Sequence, residues 1–172
     1  EELEQRVVER TAELASANTQ LQEEVFERMQ AEQRIWHVAH HDSLTGLPNR
    51  ALLHDRLQQA LTKAQRSRHR VAVMFLDLDR FKSVNDSLGH AVGDELLKYV
   101  AARLTGVVRA VDTVSRLGGD EFVIVLEEAG TPDDVVLVAE KIIDALAPEV
   151  SIGGHQLRAT PSIGISIFPD DA

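Results

Sequence analysis

The spacing of apolar residues changes character along this chain, and each change predicts a different element. Over the first 39 residues, Val7, Leu14, Leu21 and Ile35 follow a seven-residue spacing; Ala17, Ala31 and Val38 sit three positions after that series, and Arg28 interrupts it. The pattern predicts one long helix, roughly 55 Å at 1.5 Å per residue. Its apolar stripe is too narrow to hold it alone, so it is expected to pair with another helix. It could lie back on its own domain, or two copies could form a parallel coiled coil that dimerises the protein and relays a signal from a sensor upstream. The wide polar face favours the coiled coil.

Neither Gly nor Pro occurs in residues 1–45, whereas both recur from Gly46 and Pro48 onward. A boundary is therefore placed near His40, with a signalling helix over 1–40 and a globular domain over 41–172. Residues 51–66 carry Leu52, Leu53, Leu57, Ala60 and Leu61 on one helical face. Residues 71–76 are continuously apolar and end in Asp77, as a buried central strand does. A second helix is predicted over 88–108, with Leu96, Leu97, Val100, Leu104 and Val107 as its buried stripe. Short strands over 113–117 and 122–126 flank Gly118 and Gly119 and make a hairpin. Thr131, ahead of Pro132, Asp133 and Asp134, caps a third helix with acids at the positive end of its dipole. Residues 150–160 turn at Gly153 and Gly154, and 162–168 form a last strand. This order predicts an α+β fold, a split βαβ sheet with helices packed on it.

Composition narrows the function. With 172 residues and 44% hydrophobic content, the chain can build one core of ordinary size plus an appendage. Its 18 Lys and Arg against 28 Asp and Glu leave a formal charge of −10, which excludes coating DNA or RNA. The absence of Cys excludes disulfides, thiolate metal sites and thiol nucleophiles, and fits a reducing compartment, so the expected location is cytoplasmic. No apolar run approaches the roughly 20 residues needed to cross a bilayer, and no cleavable leader opens the chain, so this segment is expected to make no membrane contact, whatever anchors a longer parent.

Candidate chemistry gathers at two acidic points. Asp77 stands where a buried strand gives way to a loop, a position costly for a carboxylate unless a cation or donor compensates it. Asp120 and Glu121 stand at the tip of the predicted hairpin, behind two glycines that allow close approach. In the split βαβ topology the first strand lies beside that hairpin, so Asp77 and Asp120 can converge. Hard oxygen ligands with nothing soft nearby suit Mg²⁺ or Mn²⁺ bridging phosphates. Between strand and helix, the run Arg80-Phe81-Lys82-Ser83-Val84-Asn85-Asp86 offers backbone N–H groups and Lys82 as a phosphate cradle. Asn85 offers a donor and an acceptor and Asp94 only acceptors, a pair that matches a guanine edge. Each of these acids alone reads equally as a solvated turn residue; their joint placement is what points to a site.

Several motifs together resemble the GGDEF family, the diguanylate cyclases. Arg116-Leu117-Gly118-Gly119-Asp120-Glu121-Phe122 is similar to its name-giving motif. The resemblance extends to Asp42-Ser43-Leu44-Thr45-Gly46-Leu47-Pro48-Asn49-Arg50, to the run from Asp77 to Asp94, and to Ser162-Ile163-Gly164, in the family's order over residues 42–168. It implies a palm-like domain that condenses two GTP molecules into cyclic di-GMP and pyrophosphate within a homodimer. It implies metal binding by Asp77, Asp120 and the Leu78 carbonyl, with Glu121 beside them. It implies substrate contacts from Phe81 and Lys82, and guanine recognition by Asn85 and Asp94. Whether Asp120, Glu121 or a hydroxide takes the ribose proton stays open.

Arg109-Ala110-Val111-Asp112 is similar to the family's Arg-x-x-Asp product-inhibition motif, against the plainer reading of a salt bridge at a helix end. Asp42 and Arg50 read as a structural pair anchoring the helix junction, and His40 and His41 as polar residues flanking a hinge. The family's domains continue into a further helix, with another phosphate-binding Lys, and a final strand. This sequence stops at Ala172 and is expected to be part of a longer protein. A nucleotide-binding regulatory module without turnover, or a dimerising scaffold, are the other functions such a chain could serve.

Overall fold

A computed structural model describes residues 1–171, and among them every side chain except those of Glu4, Val8 and Ala12. Ala172, the last residue of the expected domain, lies outside the described residues. The chain divides into two compact units, Glu1–Ala39 and His40–Ala172. The first is a single helix, α1 (Glu2–His40), on which Leu14, Leu21, Ile35 and Val38 are all exposed. Val25, Phe26, Met29 and Trp36 are exposed on it as well. No described helix is long and apolar enough to cross a membrane.

The second unit begins with α2 (Arg50–Ser67), whose first turn is capped by the Asn49 side chain accepting from the N–H groups of Ala51 and Leu52. Then follow β1 (Arg70–Leu78), α3 (Phe81–Leu88), α4 (His90–Val107), β2 (Thr113–Gly118), β3 (Glu121–Ala129), α5 (Pro132–Leu146), β4 (Val150–Ile152), β5 (His155–Leu157) and β6 (Pro161–Phe168). The four long strands form one antiparallel sheet in the order β2-β3-β1-β6, while β4 and β5 form a separate hairpin. β1 and β2 thus run the same way with β3 between them, and β3 and β6 likewise with β1 between them. This is the predicted split βαβ arrangement, made twice.

Strand alternation assigns the layers. Ala72, Met74, Leu76 and Leu78 point into the core shared with Leu96, Leu97, Val100 and Leu104 of α4 and with Val135, Ile142 and Leu146 of α5. Val71, with Val123 and Val125 of β3, points to the other face, where Leu53, Ala60 and Ala64 of α2 cover it. That cover thins along β1: Val71 is buried, Val73 half-buried and Phe75 57% exposed. The continuously apolar run is therefore the central strand it was expected to be, but one end of its second face is open. At α5 the expected cap is present: the Thr131 side chain accepts from the Asp134 N–H, and the Asp134 side chain accepts from the Thr131 N–H.

Two details differ from the sequence expectation. The stretch read as a loop between strand and helix is itself helical, α3, entered through Arg80 in the left-handed region. The helix predicted over 88–108 starts only at His90, because Gly89, with φ of 88°, breaks the axis between α3 and α4. The Gly89 N–H donates to Asn85 O, closing α3, and the Gly89 carbonyl accepts from Val92 and Gly93, opening α4. A run of polar residues between two apolar stripes looks the same from sequence whether it is a loop or one short amphipathic turn of helix.

Candidate active site

The sheet register places the acids. Asp77, at the end of β1, pairs across the sheet with Glu121 of β3 on one side and Ser162 of β6 on the other. Asp120 stands one residue before Glu121, at the tip of the β2–β3 hairpin. The tip is tight because Gly118 and Gly119 adopt φ of 143° and 54°, a region costly for residues with a Cβ. Burial raises the Asp77 pKa above its ordinary 3.8, and the negative charges of Asp120, Glu121 and Asp79 raise it further. Its side chain nonetheless reaches solvent, at a cleft of about 350 Å³ lined by Phe75, Asp77, Glu121, Ser162 and Gly164.

Such a cluster of like charges calls for a counter-cation. Among the described residues no three His, Asp or Glu side chains form a ready-made metal cage. The oxygens present do fit a hard divalent cation of the Mg²⁺ type, which keeps part of its shell from water and substrate phosphate and takes few protein ligands. Leu78 is buried and pairs with Pro161, so what it can offer is its backbone carbonyl.

Asp79 joins the site through contacts that sequence spacing does not reveal. Its N–H donates to Thr160 O at 2.9 Å, and its Oδ1 accepts from Ser162 Oγ at 2.7 Å, which ties the turn after β1 to the start of β6. What the sequence does show is a second Asp two residues after the first, on the same side of the strand end.

The other residues expected at the site lie on α3 and α4. Lys82 is exposed in the first turn of α3, where helix N–H groups lack intrahelical partners. Phe81, expected to contact substrate, has a side chain only 8% exposed that packs in the core. Asn85 lies directly against Gly93 of α4, where any Cβ would collide with the Asn85 amide and crowd the Phe81 ring. The missing side chain at Gly93 therefore lets Asn85 pack against α4, and Asp94, the next residue, is exposed.

Arg109 and Asp112 follow α4. Asp112 is not spent on a salt bridge at the helix end. Its Oδ2 accepts from the Arg109 N–H at 2.9 Å and its Oδ1 from the Glu127 N–H at 3.1 Å, which fastens the Arg109 loop to β3. Burial raises the Asp112 pKa, although those two N–H groups and the Arg109 charge act in the opposite sense. Arg109 is exposed at the rim of a cavity of about 170 Å³, also lined by Glu127, Asp134 and Lys141.

The pairing expected for Asp42 is corrected. Asp42 joins Arg116, not Arg50, which is exposed at the start of α2. Both Asp42 oxygens accept from Arg116 Nη1, at 3.0 and 2.9 Å, and Oδ2 also accepts from the Thr45 N–H and hydroxyl at 2.8 and 2.7 Å. Burial opposes the Asp42 charge, but the Thr45 and Arg116 donors outweigh it and lower the pKa. His41 forms an isolated β-bridge with Pro48 at the base of the same loop.

Fold and site together define an α+β domain of palm type, with carboxylates at one end of a ferredoxin-like sheet. The model of the family described as diguanylate cyclase, GGDEF domain, matches residues 39–172, and the chain belongs to that family. It is 49% identical over 141 residues to the bifunctional diguanylate cyclase/cyclic di-GMP phosphodiesterase MucR of Pseudomonas aeruginosa, covering 82% of this chain but 20% of that protein. The chain thus spans about a fifth of that relative's length. Its fold is similar to the solved GGDEF domain of TpbB from the same organism, with a TM-score of 0.74 and 43% identity over 76% of this chain and 77% of that one. It is also similar to the coiled coil and GGDEF domain of DgcB from Caulobacter crescentus in complex with c-di-GMP, with a TM-score of 0.77 and 25% identity over 97% of this chain and 83% of that one.

Proposed function

We propose that this chain is the GTP-condensing part of a diguanylate cyclase, making cyclic di-GMP and pyrophosphate from two GTP molecules. The observation that carries the reading is the gathering of Asp77, Asp120 and Glu121 at one end of the sheet, beside an open cleft, with Asn85 of α3 packed against Gly93, the residue before Asp94. Membership of the family and similarity to curated cyclases support it.

In this reading Asn85 and Asp94 grip the guanine edge, the carboxamide serving O6 or N7 and the carboxylate taking the ring N–H donors. Lys82 and the first N–H groups of α3 hold the triphosphate and offset the charge that accumulates as the ribose 3′-oxygen attacks the α-phosphorus of the second GTP. Asp77, Asp120 and the Leu78 carbonyl hold a divalent cation, Mg²⁺ or Mn²⁺, whose chemistry is to polarise the phosphate and ease the in-line displacement. Asp120 or Glu121 stands where the hydroxyl proton can be accepted. Each domain holds one nucleotide, so two domains must face each other. The exposed heptad residues of α1 suit a parallel coiled coil with a second copy, which places an upstream sensor in control of that encounter. Arg109 would fork onto the product's phosphate or guanine, with Asp112 fixing its loop, and so serve as the inhibitory site. A cytoplasmic location gives access to GTP.

Incubation of the protein with GTP and Mg²⁺ tests the reading by detection of cyclic di-GMP. Turnover that disappears in Asp120→Ala is the expected outcome. Tight product binding with no turnover would instead identify a silent sensor module.

A further inference from the structure

The hairpin that carries Asp120 turns on two glycines, so no side chain within the turn itself can brace it. The bracing comes from Arg116, at the base of the hairpin. Its Nε and Nη2 both donate to the Gly119 carbonyl, at 3.0 and 2.7 Å. That carbonyl shares a rigid peptide plane with the Asp120 N–H, so orienting it orients the Cα of Asp120. The remaining arm of the fork, Nη1, is held by Asp42 at 3.0 and 2.9 Å. Asp42 is itself immobilised: Thr45 supplies two donors to its carboxylate, the Asp42 N–H reaches Leu47 O at 2.8 Å, and the Gly46 N–H returns to Asp42 O at 2.9 Å. The Arg116 N–H closes the assembly by donating to Pro48 O at 3.0 Å. Arg116 and Asp42 keep only 10% and 19% of their side-chain surface.

We propose that Arg116 is a positioning residue for the Asp120 carboxylate, with Asp42 and the 41–49 loop as its anchor. The proposal rests on reading Asp120 as a cation ligand. A buried ion pair is by itself weak evidence for stability, because desolvation offsets much of the attraction. Here the geometry aims two arms of a planar guanidinium at the peptide that precedes Asp120 while the third is held by Asp42, a task Lys cannot perform.

Two variants separate positioning from simple stabilisation. Arg116→Lys keeps a cation for Asp42 but cannot fork onto Gly119, and Asp42→Asn keeps the anchor's shape while weakening its hold on the guanidinium. Each is compared with the unaltered protein in four measurements: Mn²⁺ binding, read from the free-ion electron paramagnetic resonance signal; GTP binding without metal; thermal melting; and the Mg²⁺ dependence of turnover. The expected result is a loss of Mn²⁺ affinity of about 10–100-fold and a matching rise in the Mg²⁺ needed for half-maximal rate, as for other residues that orient metal ligands. Metal-free GTP affinity should stay within about twofold, because the guanine-binding groups lie on α3 and α4.

Mn²⁺ affinity unchanged in a folded Arg116→Lys protein overturns the proposal. So does a parallel fall of metal affinity, GTP affinity and melting temperature, which marks a purely structural pair. Where Asp42→Asn does not fold, Thr45→Val, which removes the 2.7 Å hydroxyl donor to Asp42 together with the long 3.4 Å contact from the Leu47 N–H, takes its place and should show the same selective loss. An unaltered protein that binds Mn²⁺ but makes no cyclic di-GMP defeats the cyclase reading and leaves the Arg116 comparison decisive. One that binds no Mn²⁺ with or without GTP defeats both.

Discussion

Asp77 stands among its own kind. Burial disfavours its charge first, and Asp120, Glu121 and Asp79 then add repulsion, so its pKa lies above the ordinary 3.8. An acid whose folded pKa exceeds its unfolded one binds its proton more readily in the fold, so stability is lost as pH rises through the interval above 3.8, and the loss persists at neutral pH. Asp77→Asn is therefore expected to raise the melting temperature slightly at pH 7 in metal-free solution, with the gain vanishing below pH 3.8, while cyclase turnover falls by about a hundredfold or more. Calorimetry across pH and a GTP assay check both halves. A lower melting temperature at pH 7 would show that the strand end does not carry this electrostatic strain. Gly93 offers a second test at the same scale. Gly93→Ala forces a Cβ into the Asn85 amide, so KM for GTP is expected to rise about tenfold, the size of a ~1.4 kcal/mol contact, with a smaller change in kcat. Preference for GTP over ATP should fall with it, in a competition assay.

Elements decide how those residues meet. β1 brings Asp77 to the hairpin because β3 is its direct neighbour, and β6 brings Ser162 to Asp79 from the other side. α3 and α4 meet at an angle because Gly89 interrupts them, and the break turns Asn85 toward the start of α4. In α1, Arg28 occupies the seam position between Leu21 and Ile35 and forms an exposed ion pair with Glu32 at 3.0 Å. A charged residue at one seam position lowers coiled-coil stability. Arg28→Leu is expected to shift the monomer–dimer equilibrium toward dimer by about tenfold or more, measured by sedimentation equilibrium. No shift would argue that α1 does not pair along this stripe.

At the scale of the whole molecule, the proposed reaction needs two domains, each bringing one nucleotide. Turnover per mole is therefore expected to rise with protein concentration and to level off once the dimer is saturated, and Leu21→Asp, which puts a charge into the seam, should delay that rise without lowering GTP affinity. Initial rates over a wide concentration range check this. A rate per mole independent of concentration would place both nucleotides in one copy. The net charge of −10 adds a mutual repulsion between copies that salt relieves, so moderate ionic strength should favour the encounter.

The sequence by itself determined the kinds of element apart from α3, and the approach of Asp77 to Asp120, because periodicity and turn glycines are local properties and the split βαβ order leaves the first strand few neighbours to choose from. It also carried the family's pattern for Asn85, Asp94, Arg109 and Asp112. Only the tertiary structure decided what those side chains touch. Asp42 finds Arg116 across 74 residues of chain, where the sequence suggested nearby Arg50. Phe81 turns into the core, and Asp112 gives its oxygens to backbone N–H groups. Those choices depend on cross-strand register and on which polar groups burial leaves unpaired, and neither is written in the spacing of one segment.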